Sequence, residues 1–77
     1  MNSASQTKDF ANFCNSFGTG FLKEHKAAQM LATLTDIPEI MSDNIRLLTF
    51  LENSLVMEGF NAVSLEQIQR WLIDNFE

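Results

Sequence analysis

The stretch Phe10-Ala11-Asn12-Phe13-Cys14-Asn15-Ser16-Phe17-Gly18-Thr19-Gly20-Phe21 carries the clearest periodicity in the chain. Its apolar side chains at 10, 13, 14, 17 and 21 recur at separations of three and four, which puts them on one stripe of an α-helix. Ser5 is a suitable N-cap for that helix. Gly18 and Gly20 interrupt it, each costing about 1 kcal/mol relative to alanine in a helix interior. Beyond them the stripe continues in phase through Ala28, Leu31 and Ala32. Two helices near 5–18 and 20–34 are therefore the preferred reading, and one unbroken helix is the alternative.

Downstream, Thr35-Asp36-Ile37-Pro38 ends the region, because proline disfavours helical backbone in the residue before it. Pro38-Glu39-Ile40-Met41 fits a single tight turn. Ser42 as N-cap and Gly59 as a left-handed terminator bracket a helix at about 42–58. Its apolar residues Ile45, Leu47, Leu48, Phe50, Leu51, Leu55, Val56 and Met57 occupy more than one stripe, which predicts a central helix buried on two sides. A last helix at 64–76 opens on a Ser64–Gln67 capping box, buries Leu65, Ile68, Leu72 and Phe76, and carries Trp71 at the edge of that face. Glu66 and Arg70 are spaced to pair on its outside. Strict apolar alternation is absent and β-branched residues are few, so no sheet is expected. The expected fold is all-α: one domain over 1–77, a compact bundle of three to four helices, with residues 1–4 frayed.

A chain of 77 residues buries a small core, so tight packing or association is needed to stabilise it. A lone Cys14 rules out an intrachain disulfide, and with the single His25 it cannot complete a four-ligand zinc site of the Cys/His kind. Ten acidic residues against five basic give a net charge of −5, which repels phosphate backbones and disfavours nucleic acid as a partner. Neither a membrane-length apolar run nor a basic start followed by an apolar stretch is present, so the reading is a cytoplasmic protein that does not contact a membrane.

Catalytic chemistry finds little support. On one continuous helix Cys14 and His25 stand roughly 16 Å apart, and a nucleophile–base pair needs the chain to reverse at Gly18–Gly20. Cys14 belongs to the phenylalanine stripe, where a free cysteine behaves as a small buried hydrophobe. His25 sits in a charged run typical of a solvated surface. The carboxylates lack the spacing of a calcium loop, and Asp36, Glu39 and Asp43 form an acidic patch near the start of the central helix. No cofactor, metal site or catalytic group is expected.

The segment Gly59-Phe60-Asn61-Ala62-Val63 is similar to the Gly-Leu-Asp-Ser-Leu type motif that precedes a helix in acyl carrier proteins, which are also small, acidic and helical. The likeness covers five residues. Ala62 stands where the carrier serine accepts its phosphopantetheine arm, so the resemblance implies at most a degenerate carrier without the modifiable serine. A small transcriptional or phage-type regulator of helix-turn-helix character is another alternative. Against it, the last helix offers Gln67, Gln69 and Arg70 with Glu66, Asp74 and Glu77 alongside. The leading expectation is a non-enzymatic protein–protein interaction module: an adaptor, a chaperone-like cofactor or an inhibitor of a larger protein. It is expected to be a homodimer through its N-terminal helices. Its candidate surface comprises Phe10, Phe13, Phe17, Phe21, Met57 and Trp71, because aromatic and methionine side chains dominate such contacts.

Overall fold

The computed structural model describes residues 3–76. In chain order these form α1 (Ser3–Asn15), α2 (Glu24–Asp36), the single turn α3 (Pro38–Met41), α4 (Asn44–Leu55), a 3-10 turn (Val56–Glu58) and α5 (Ala62–Asn75). No strand occurs among the described residues, as the all-α reading expects. Of the residues expected to fray, Ser3 and Ala4 lie in the first turn of α1, and Met1 and Asn2 lie outside the described residues.

The alternative of one long N-terminal helix is excluded. α1 stops at Asn15, and eight residues reverse the chain before α2 begins at Glu24. Asn15 itself fastens the reversal. Its Nδ2 donates to the Leu22 carbonyl at 3.0 Å, and its Oδ1 accepts from the Leu22 amide at 2.7 Å. Gly18 takes a left-handed turn at φ 74°, and α2 then packs back along α1. Leu22 is buried at the start of this return. The reversal also resets the helical phase, so α2 buries Ala27, Met30, Leu31 and Leu34 and leaves Ala28 and Ala32 at the surface.

Three expected caps move, two of them because a better-placed neighbour competes. Ser5 lies inside α1. Ser42 closes α3, its hydroxyl donating to the Glu39 carbonyl at 2.9 Å. Asp43 caps α4 by accepting from the amides of Ile45 and Arg46 at 2.9 and 3.4 Å. The capping box of α5 is Asn61–Ser64, with Asn61 Oδ1 accepting from the Ser64 amide at 2.9 Å and Ser64 Oγ accepting from the Asn61 amide at 3.1 Å. Starting the helix at Ala62 turns Ser64 inward, where it is buried with its hydrogen bonds satisfied.

Leu47, Leu51 and Leu55 form the buried stripe of α4, flanked by half-buried Leu48 and Phe50. The expected two-sided burial is thus narrower than the apolar content suggested: Ile45, Val56 and Met57 are exposed. Beyond Leu55 the chain ends its helix in a Schellman motif. Phe60 N–H donates to Leu55 O at 3.3 Å and Gly59 N–H to Val56 O at 3.0 Å, with Gly59 left-handed at φ 98°. Phe60 and Leu55 are both buried, as this motif favours. On α5, Leu65, Ile68 and Leu72 enter the core, Trp71 and Phe76 pack at its edge, and the Glu66–Arg70 pair does not form.

The two glycine-bearing turns meet. A Cβ on Gly20 would lie 2.7 Å from Glu58 O and 2.8 Å from the Phe60 ring, and one on Gly59 would lie 3.0 Å from Thr19 O. Urea unfolding should therefore rank three substitutions. Gly59→Ala, with both positive φ and a backbone contact, is expected to cost about 2–5 kcal/mol. Gly20→Ala should cost about 1–3 kcal/mol from overpacking. Gly18→Ala, which meets open space and only the φ penalty, should cost about 1–2 kcal/mol.

Candidate functional site

The six residues of the expected surface separate into two groups. Phe10 is fully buried on α1, with its ring centroid 5.7 Å from that of Trp71 on α5. Phe13 stacks on the same indole at 5.7 Å and 21°, and Phe17 meets Phe13 edge-on at 5.2 Å and 87°. Phe13, Phe17 and Trp71 are half-buried. Phe10 and Phe13 tie α1 to α5 through Trp71, Phe17 packs against Phe13 from the turn, and all four rings take part in the molecule's own packing.

Phe21 and Met57 behave differently. Phe21 is 62% exposed, Met57 85% and the adjacent Val56 54%. They stem from one junction, because the Phe21 amide donates to the Glu58 carbonyl at 3.2 Å. Lys26 Nζ, on the first turns of α2, reaches Glu58 Oε2 at 3.2 Å and braces the same place. The close approach of Gly20 and Gly59 leaves this junction little room to move. Apolar side chains are therefore held in solvent on a backbone fixed by hydrogen bonds and sterics.

At the opposite ends of α2 and α4 lies a second apolar surface that the sequence did not reveal as a site. Two adjoining depressions of about 470 and 330 Å³ share Gln6, Thr35 and Phe76. Leu34, Pro38 and Met41 line one, and Ala28, Leu31, Ala32 and Asp36 line the other. The residues come from α1, α2, α3 and the end of α5, so no local spacing announces them. The proline, the methionine, Phe76, the stripe of Ala28, Leu31 and Ala32 and the acidic run Asp36, Glu39, Asp43 were visible only as separate features.

The chain does reverse between Asn15 and Glu24, as a Cys14–His25 pair would require, yet the environments of the two residues oppose it. Cys14 is fully buried and His25 is exposed. Burial pushes the Cys14 thiol up to about 12, with a backbone hydrogen bond acting weakly in the other direction. A thiol so placed stays protonated at neutral pH and is a poor nucleophile. Among the described residues no cluster of His, Cys, Asp or Glu is grouped to hold a metal ion. No helix among them is long and apolar enough to cross a membrane. Between α4 and α5 a polar depression is lined by Asn44, Glu66, Gln69, Arg70, Ile73 and Asp74. There Gln69 Nε2 donates to Asn44 O at 3.2 Å, and two carboxylates accompany the one arginine. That arrangement is poorly suited to a phosphate backbone. Ala62, at the carrier-serine position, begins α5.

Comparison of the chain with protein-family models, with curated proteins and with solved structures finds no match.

The division of the aromatic residues has a direct test in denaturant melts. In melts at a concentration low enough for the chain to be monomeric, Phe10→Ala should cost about 3–5 kcal/mol, whereas Phe21→Ala and Met57→Ala should each stay within about 0.5 kcal/mol of the parent. Cys14 supplies a pH test. The unfolded thiol ionises near 9.0 while the folded one holds its proton to about 12, so the unfolded state binds fewer protons between them. Stability should fall as pH rises through that window, and Cys14→Ala should lower overall stability but flatten the slope.

Proposed function

We propose that this chain is a small, acidic, non-enzymatic protein–protein interaction module that associates with itself through the end of the molecule bearing Phe21, Val56 and Met57. One observation carries the reading: three exposed apolar side chains stand on a junction held by the Phe21–Glu58 hydrogen bond. Presenting such groups on fixed backbone lowers the ordering cost of association. Phenylalanine and methionine are also well matched across a two-fold axis, where Phe21 of one copy can meet Met57 of the other and the reverse.

Charge favours a second copy at this end. Lys23 and Lys26 accompany Glu24 and Glu58 there, so the local signs balance. Asp36, Glu39 and Asp43 are remote: α2 and α4 each run roughly 16–18 Å from one end to the other. Pairing through the junction keeps those acidic ends apart. The N-terminal helices, in contrast, have committed Phe10 and much of Phe13 and Phe17 to the internal aromatic cluster.

Size-exclusion chromatography with light scattering at tens of micromolar should give twice the 8.7 kDa chain mass. Met57→Lys and Phe21→Lys should keep the helical circular dichroism spectrum and elute as monomers. A parent chain that runs at 8.7 kDa under those conditions would contradict self-association.

A further inference from the structure

We infer that the groove over Leu34, Pro38, Met41 and Phe76 docks an amphipathic helix from another protein, apolar on one face and carrying Lys or Arg along its edge. Leu34 is buried and forms a floor, while Met41 and Phe76 are half-buried and form apolar walls. The adjoining depression extends this floor over Ala28 and Ala32, whose small side chains let a helix backbone come close. Methionine adapts its shape to whatever packs against it.

The charge of the rim selects the occupant. Asp36 lines the adjoining depression, and Glu39 and Asp43 are exposed beside Pro38 and Met41 on the segment that borders the groove. No lysine or arginine is among the described residues lining either depression. The nearest cation on this segment, Arg46, lies 3.8 Å from Asp43 with both side chains largely in solvent. α2 ends at Asp36 with no basic residue in its last turn, so a carboxylate sits where the helix dipole is already negative. A cation from outside relieves that conflict. A second copy of this chain would face the same carboxylate rim, and anionic lipid or nucleic acid carries the wrong sign. Asp36, Pro38 and Met41 lie at the far ends of α2 and α4 from Phe21 and Met57, so this surface does not depend on the proposed self-association.

The probe is a fluorescent synthetic helix of leucine and lysine, titrated by anisotropy and mapped by amide chemical shifts. Saturable binding is expected, with the largest shifts at Leu34, Met41 and Phe76 and no binding of a leucine–glutamate peptide. The triple variant Asp36→Asn, Glu39→Gln, Asp43→Asn should weaken binding on the order of ten-fold, with the circular dichroism spectrum unchanged, since asparagine still caps α4. Absence of binding overturns the proposal. So do affinity unchanged in the triple variant, equal binding of the acidic peptide, shifts spread over the whole acidic surface, and shifts centred on Phe21 and Met57.

Discussion

The close approach of two turns, one at Gly20 and the other at Gly59, is the constraint on which the arrangement depends. The first turn ends the reversal between α1 and α2, and the second ends α4. Their backbones come together only because neither residue carries a Cβ: an atom there would stand 2.7 Å from Glu58 O in one case and 3.0 Å from Thr19 O in the other. The Phe21 amide then bonds Glu58, Phe60 fills the space beneath, and Lys26 bridges to Glu58 from α2. This contact joins the N-terminal helix pair to the C-terminal one, and the aromatic packing of Phe10 and Phe13 on Trp71 joins them again between α1 and α5.

Helical periodicity was legible because it is a local property. The spacing of Phe10, Phe13, Cys14 and Phe17, the proline at 38 and the glycine at 59 each act within a few residues. The helix ends fall within a turn of where those signals put them, except the start of α2, which comes four residues later at Glu24. The caps were harder to place because Ser42 and Asp43 are adjacent and Asn61 precedes Ser64 by one turn. Sequence alone does not decide between competing side chains that can each reach an amide. Burial was less legible still. Ile45 and Met57 are as apolar as Leu47 and Phe60, yet only the second pair is inside, a choice made by the Schellman turn and by which face of α4 meets the other helices.

The same distinction governs the candidate sites. Phe21 and Met57 were visible as apolar residues of the right kind, but their shared position follows from a hydrogen bond spanning 37 residues of sequence. The groove over Leu34, Pro38, Met41 and Phe76 draws on four helical segments and was not visible at all. Its formation separates the molecule into an end with balanced charge and exposed Phe21 and Met57, and an end where an apolar hollow meets Asp36, Glu39 and Asp43. Two surfaces of different electrostatic character on so small a bundle suit a module that contacts proteins at both ends.

The glycine junction claims that the segment around Phe21 is part of the cooperative fold and not a loosely attached loop. Native-state hydrogen exchange resolved by residue addresses this directly, since the amides of Phe21 and Leu22 have specific acceptors in Glu58 O and Asn15 Oδ1. Both amides should exchange with opening free energies within about 1 kcal/mol of core amides such as Leu51. Fast exchange at Phe21 and Leu22 while the helices stay protected would contradict it, and would show the two glycine turns to be a casual contact between independently stable halves.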